Sequence, residues 1–160
     1  MSSIRPVHGE PAEPRQHGAR ILRQAQVERK KGAVRFAGYA ALFDIADAAR
    51  DTIRRGAFAR TLAGRTEPVP LLWQHRRRIG TVETLREDAR GLRVVARIDR
   101  PASRAAALLR ANGVSGLSFG YRARGFRRTP AGRVLEDIEL LEVSLVTHPL
   151  QPGARVHLVE

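Results

Sequence analysis

From Ala33 onwards, apolar residues recur at every second position in several short segments. These segments are separated by residues that favour turns. Side chains alternate between the two faces of a β-strand, so this pattern predicts strands with one face in a core. The first such segment runs from Ala33 to Phe43, and the last runs from Val134 to Thr147. Short helices are predicted only at Gly56 to Leu62 and after Pro101. The sequence therefore predicts a β-rich α+β fold, a compact closed or nearly closed β-barrel with a few surrounding helices.

Five further stretches complete this predicted order of elements. Leu71 to His75 is a short apolar strand that ends on the histidine. Ile79 to Leu85 and Gly91 to Asp99 form a hairpin pair, because Glu87, Asp88 and Gly91 supply a turn between them. A strand that begins at Gly116 extends to about Phe126. Asp44 to Asp51 is predicted to be a loop.

The chain divides into a tail and one domain. Residues 1–31 contain several prolines and glycines, mixed charges and few bulky apolar residues, so they cannot bury much surface. We expect them to form a flexible basic N-terminal tail. Residues 32–160 are sufficient for a single domain with its own core.

Charge and composition restrict the classes of function. The formal net charge is +13, and arginine supplies nearly all of the positive charge. The arginines are scattered and no aromatic residues are interleaved with them, so we expect an anion-attracting surface without specific nucleic-acid recognition. The absence of cysteine excludes disulfides and thiolate chemistry. No apolar run approaches the roughly 20 residues that cross a bilayer, and no metal-ligand spacing or phosphate loop occurs, so no membrane partner and no cofactor are expected.

The segment 116–121 carries the first candidate for chemistry. If it is a strand, Gly116, Ser118 and Gly120 share one face and the apolar residues share the other. A hydroxyl between two glycines leaves room for another backbone to approach, as a serine nucleophile that attacks a polypeptide requires. The alternative is structural, because serine and glycine are common in bends and at strand ends.

Two other residues could complete such a site. In the last long strand, Glu142 would lie on one face with Ile138, Leu140 and Ser144, where a buried carboxylate needs a partner such as an imidazole. Glu142 could instead point outward and pair with an arginine, and His75 could be an ordinary exposed histidine at a strand end. If the chain is an enzyme, a serine with a histidine base and an acid is the only complete catalytic set in the sequence.

Several ordered motifs resemble one known family. They are Phe36-Ala37-Gly38-Tyr39-Ala40, Gly56-Ala57-Phe58, Leu72 to His75 with Ile79-Gly80, Leu117-Ser118-Phe119-Gly120-Tyr121, and Glu142-Val143-Ser144-Leu145-Val146 before Pro149. In this order, over about residues 33–156, they resemble the prohead proteases of tailed phages, which are related in fold to the herpesvirus assemblins. The resemblance implies a capsid-maturation serine endopeptidase.

The resemblance also implies roles for particular residues. Ser118 would be the nucleophile, His75 the general base and Glu142 the orienting acid, at the position where the herpesvirus enzymes have a second histidine. Asp99 is the alternative acid, and residues 149–155 match the region that contributes to the oxyanion site. Arg76 after the histidine, and the sequence Leu-Gln-Pro-Gly-Ala after Pro149, depart from the family pattern and put the substrate preference and the oxyanion region in doubt.

The implied partners are a major capsid protein precursor and scaffold segments carried on separate chains, together with a second copy of this chain in a homodimer. The implied location is the bacterial host cytoplasm, inside the assembling prohead. The alternative function is a non-catalytic, basic, capsid-associated module that binds acidic scaffold segments or nucleic acid.

Overall fold

The computed structural model describes residues 32–160, and the predicted N-terminal tail lies outside this part of the chain. Strands predominate between residues 32 and 160, and two short helices lie among them. In chain order the elements are β1 (Val34–Leu42), β2 (Asp51–Ile53), α1 (Ala59–Ala63), β3 (Pro70–Trp73), β4 (Arg77–Glu87), β5 (Gly91–Ile98), α2 (Arg104–Arg110), β6 (Gly116–Thr129), β7 (Gly132–Val146) and β8 (Val156–Val159).

The strand β7 is the centre of the sheet. Along one edge it forms a long antiparallel hairpin with β6, whose turn contains Pro130 and Ala131. Along its other edge it pairs in parallel first with β2 and then with β3. From β3 the sheet continues through β4 and β5 to β1, each pair antiparallel, and β8 lies outside β1.

The segment just before β8 joins the two ends of this sheet. The Tyr39 N–H donates to the Arg155 carbonyl at 3.1 Å, while the Leu117 N–H donates to the Ala154 carbonyl at 2.8 Å. Residues 154–156 therefore lie between β1 and the start of β6 and curl the sheet round into a nearly complete ring. The prediction of a β-rich, barrel-like fold is confirmed.

The core fills the inside of the ring. Apolar side chains of β1, β5, β6 and β7 that alternate along their strands are almost fully buried, among them Phe36, Val94, Leu117 and Leu145. The phenyl ring of Phe58, just before α1, packs edge-on against Phe119 with the ring centroids 5.4 Å apart. Burial of this apolar surface is the main force that holds the strands in the ring.

A β-bulge corrects the predicted faces of β7. Gly120 pairs with Glu142 and Tyr121 pairs with Leu140, so Leu141 is an extra residue without a partner in β6 and is 39% exposed. The bulge reverses the alternation at this point. Simple alternation predicted that Leu140 lies on the same face as Glu142. Because of the bulge, Leu140 instead lies in the core with Val143.

Two short strands were not predicted. β2 lies at the end of the predicted loop from Asp44 to Asp51, and β8 follows the last predicted strand. Both contain four residues or fewer and owe their conformation to pairing with distant parts of the chain.

Candidate active site

His75 lies in a tight turn between β3 and β4. The prediction that the strand ends on His75 was wrong, because β3 ends at Trp73. Gln74 and His75 both have left-handed backbone conformations, with φ of 52° and 60°, and the Arg76 N–H donates to the Trp73 carbonyl at 3.1 Å. This is the geometry of a type I′ turn, in which asparagine and glycine are preferred.

Contacts with β7 hold this unfavourable turn in place. The Gln74 N–H donates to the Leu145 carbonyl at 3.1 Å, and the Gln74 amide group donates to Thr147 Oγ1 at 3.2 Å. The His75 N–H donates to Ser144 Oγ at 3.1 Å. A left-handed residue with a side chain costs on the order of 1–2 kcal/mol, and these hydrogen bonds offset that cost. The turn fixes the position from which the imidazole extends.

The imidazole of His75 meets the carboxylate of Glu142. His75 Nδ1 lies 2.5 Å from Glu142 Oε1, and the side chain of Glu142 is only 12% exposed, whereas that of His75 is 44% exposed. Glu142 does not point outward towards an arginine, which was the alternative interpretation. With Nδ1–H donating to the carboxylate, Nε2 is the ring nitrogen that remains available to accept a proton.

Ser144 holds both members of this pair, a role that the sequence pattern did not predict. Its side chain is fully buried, its hydroxyl donates to Glu142 Oε2 at 2.7 Å, and it accepts the His75 N–H. The carboxylate therefore receives one hydrogen bond on each oxygen. The available signal was the position of Ser144 two residues from Glu142, which places both side chains on one face of a strand.

Ser118 lies on the same face of the sheet, on the neighbouring strand. It is directly opposite Ser144 in the β6–β7 ladder, and Gly120 is directly opposite Glu142. Opposite residues in an antiparallel pair project to the same side, so Ser118, Ser144 and Glu142 share one face. Ser118 is partly exposed, and no hydrogen bond joins it to His75 among the contacts of residues 32–160. Hydrogen bonds between catalytic groups are often long without substrate.

The two glycines on either side of Ser118 make room for other residues of this protein. A Cβ atom on Gly120 would lie 2.6 Å from Glu142 Oε1, and one on Gly116 would lie 2.8 Å from Pro149 Cδ. Glu142 and Pro149 therefore fill the space beside the two glycines, and the expected approach of another backbone to the Ser118 hydroxyl stays a prediction. Gly120 is required because the side chain of Glu142 packs against it where that side chain extends towards His75.

The structure also gives the positions of Asp99, the alternative acid, and of the segment after β7. Asp99 is exposed, and its carboxylate lies 3.2 Å from the guanidinium of Arg97 rather than beside His75. In the region that matches the oxyanion segment, Pro149 lies against Gly116, close to the start of the serine strand. The Arg155 guanidinium donates to the Pro152 carbonyl and to Ser115 Oγ.

A second polar cluster stabilises the sheet on the side of β6 that carries Tyr121. The buried Asp51 of β2 accepts a hydrogen bond from the Tyr121 hydroxyl at 2.9 Å. It accepts two more from the Arg133 guanidinium, one from Nε at 2.8 Å and one from Nη2. The hydrogen bonds from Arg133 hold the pKa of Asp51 below its usual range. Burial, together with the hydrogen bond to Asp51, raises the pKa of Tyr121 to about 12. This cluster ties β2 to β6 and β7.

Between residues 32 and 160, no three or more histidine or acidic side chains are grouped as metal ligands would be. No helix in the same part of the chain has the length and apolar character needed to cross a membrane.

Solved structures define the class of fold. The chain superimposes on a KSHV protease with a TM-score of 0.57 at 16% sequence identity, covering 80% of this chain and 65% of that one. For the varicella-zoster virus protease the TM-score is 0.55 at 19% identity, with coverage of 80% and 64%. For the capsid assembly protease of bacteriophage T4 it is 0.55 at 14% identity, with coverage of 70% and 80%. The chain thus has the fold that these herpesvirus proteases share with the T4 capsid assembly protease.

Sequence comparison identifies the family. The model of the caudovirus prohead serine protease family matches residues 22–160, and the chain belongs to that family. It is 32% identical over 130 residues to the prohead protease of Enterobacteria phage HK97, a match that covers 76% of this chain. The match spans 58% of the length of the HK97 protein.

Proposed function

We propose that this chain is a serine endopeptidase that cleaves capsid and scaffold precursor proteins during maturation of a phage or phage-like prohead. The observation that carries the proposal is the His75–Glu142 pair, held by Ser144 on the face of the sheet that also bears Ser118. Membership of the prohead serine protease family supports the same activity.

In the proposed mechanism, Ser118 Oγ attacks the carbonyl carbon of the scissile peptide bond and its proton passes to His75 Nε2. The tetrahedral intermediate collapses to an acyl-enzyme as His75 gives that proton to the leaving amine. Water then attacks the acyl carbon while His75 takes one of its protons. As the second tetrahedral intermediate collapses, His75 returns that proton to Ser118 Oγ and the carboxylic acid product leaves. Glu142 keeps the imidazole in the required tautomer and stabilises the imidazolium.

The half-exposed imidazole suits this role. Its Nδ1 side is fixed by the carboxylate, while the exposed part of the ring permits contact with a substrate. Binding of the polypeptide would exclude water and bring Nε2 and the Ser118 hydroxyl into hydrogen-bonding distance. We assign the oxyanion contact to the segment 149–155, because Pro149 and Ala154 both contact the start of β6 beside Ser118.

The proposed setting is the interior of the assembling prohead in the host cytoplasm. The HK97 relative is named a prohead protease and the T4 neighbour a capsid assembly protease, which supports this setting. The homodimer that the resemblance implies remains a prediction, and the sedimentation velocity of the purified chain tests it.

The function is tested by co-expression of the chain with its capsid precursor and intact-mass analysis of both proteins. We expect the precursor to be truncated by the wild type and to stay whole with Ser118→Ala. The control variant is Thr84→Ala, which removes an exposed hydroxyl on β4 far along the strand from His75 and should retain cleavage. A precursor that is whole, or equally cut, with wild type and Ser118→Ala would count against the protease and favour a basic binding module.

A further inference from the structure

A large surface groove lies beside the turn that carries His75. It has a volume of about 740 Å³ and is formed by the start of β4, the end of β5 and the segment that leads into α2. Its lining residues are Arg77, Arg78, Ile79, Asp99, Arg100, Ala102, Ser103 and Arg104. The groove is far larger than a single small anion, so its size fits a segment of chain.

The groove is strongly positive. Four of its lining residues are arginines, all of them exposed, and Asp99 is its one carboxylate. Asp99 is already paired with Arg97, with 3.2 Å between Oδ1 and Nη1. Among the ion pairs of residues 32–160, none involves any of the four arginines, although Arg78 donates to the Gly80 carbonyl and to Thr81. The charge of the groove is therefore not balanced by the protein.

The position of the groove relates it to the candidate active site. Arg77 and Arg78 begin β4, directly after the turn of Gln74, His75 and Arg76. Strands advance about 3.3 Å per residue, so these arginines lie roughly 10 Å or less along the chain from the base. A polypeptide that presents a peptide bond at His75 would have nearby residues within reach of the groove.

We propose that this groove binds an acidic segment of the polypeptide substrate, close in sequence to the bond that is cut. Arginine guanidinium groups form paired hydrogen bonds with carboxylates, and a concave surface lined by one sign of charge attracts the opposite sign. No aromatic side chain lines the groove, so it lacks the stacking surface typical of single-stranded nucleic-acid sites. The proposal rests on the proposed endopeptidase function, since that function makes a polypeptide the occupant.

The test measures binding and does not depend on cleavage. All proteins carry Ser118→Ala, and the probes are a fluorescent oligo-glutamate peptide and an oligo-glutamine peptide of equal length. The groove variant is Arg100→Gln with Arg104→Gln, which leaves the residues next to His75 unchanged. The matched control is Arg122→Gln with Arg128→Gln on β6, which removes the same charge from an exposed surface outside the groove.

We expect the groove variant to bind oligo-glutamate roughly fivefold or more weakly, because each exposed carboxylate–arginine pair contributes modestly. The control variant should stay within about twofold, oligo-glutamine should not bind, and added salt should weaken binding. Equal weakening of oligo-glutamate binding in both double variants would overturn the proposal, because it would show that the peptide is attracted to the overall charge of the protein alone.

Two further measurements complete the test. The first measures binding of an oligo(dT) of equal charge. Tighter binding of oligo(dT) than of oligo-glutamate, with the same dependence on Arg100 and Arg104, would overturn the proposed acidic peptide as the ligand and favour nucleic acid. Circular dichroism melting of each variant identifies loss of folding. Failure of the proposed function is seen separately, as absence of Ser118-dependent cleavage of the precursor.

Discussion

The carboxylate of Glu142 has a different partner on each oxygen, His75 on one and Ser144 on the other, and the backbone of Gly120 lies against its side chain. Each contact restricts where the carboxylate can lie. A displacement of about 1 Å in such a group is enough to lower a rate by roughly 100-fold. The residues around the pair therefore matter as much as the pair itself.

Replacement of Gly120 by alanine tests this directly. The new Cβ would lie 2.6 Å from Glu142 Oε1, so the carboxylate must move and the imidazole loses its support. We expect the rate of peptide cleavage to fall by about 100-fold. Gly64→Ala is the control, because its Cβ would lie 3.4 Å from the Arg60 carbonyl, near ordinary contact, and activity should be retained. Equal activity in both variants would show that the position of Glu142 is not critical.

Replacement of Ser144 by alanine removes both of its hydrogen bonds. The Glu142 carboxylate and the His75 N–H each lose one partner, so the imidazole is positioned less well for proton transfer. We expect kcat to fall by roughly 10-fold or more while KM changes little, because Ser144 is fully buried. Steady-state kinetics on a peptide substrate check this. A rise in KM with unchanged kcat would assign Ser144 to substrate binding instead.

At the scale of elements, the turn between β3 and β4 and the bulge in β7 together assemble the site. The turn directs His75 towards β7, and the bulge at Leu141 lets Glu142 face that turn while Leu140 stays in the core. The cluster of Asp51, Tyr121 and Arg133 ties the strands together on the far side of the bulge.

This cluster predicts a pH dependence of stability. Burial raises the pKa of Tyr121 from 10 to about 12, so its favourable contribution is present below pH 10 and is lost as pH rises towards 12. The free energy of unfolding of the wild type should therefore fall more steeply over this range than that of Tyr121→Phe. Urea unfolding at a series of alkaline pH values measures this, and parallel curves for the two proteins would contradict it.

Alternation along the chain was sufficient to predict most strands and to place Ser118 and Glu142 on strand faces. The bulge at Leu141 could not be predicted, because a single extra residue leaves no mark in composition. The turn at Gln74 and His75 could not be predicted either, since it lacks the usual asparagine and glycine and depends on hydrogen bonds that it donates to β7. Ser144 was missed because its role depends on both features.

At the scale of the whole molecule, the segment after β7 completes the ring. Gln151 is 5% exposed and anchors this segment to the end of β1. Its Oε1 accepts the Leu42 N–H at 2.7 Å, and its Nε2 donates to the carbonyls of Leu42 and Ile45 at 3.0 and 2.9 Å. These contacts join parts of the chain that are more than 100 residues apart.

Replacement of Gln151 by alanine should therefore destabilise the whole ring. It leaves buried backbone groups of Leu42 without partners, which costs about 2–4 kcal/mol in total. Gln74→Ala is the control for stability, because its amide bonds to Thr147 are exposed and should contribute less than about 1 kcal/mol. Urea unfolding measures both, and equal losses would show that Gln151 does not hold the ring closed.

Covalent labelling with a fluorophosphonate tests whether Ser118 is a nucleophile activated by His75 and Glu142. Intact mass and peptide mapping would be measured for the wild type, Ser118→Ala, His75→Ala and Glu142→Gln. We expect one adduct, on Ser118, in the wild type, none in Ser118→Ala, and much slower labelling in the other two variants. An adduct on another residue, or labelling of Ser118 that is equally fast without His75, would contradict the proposed site.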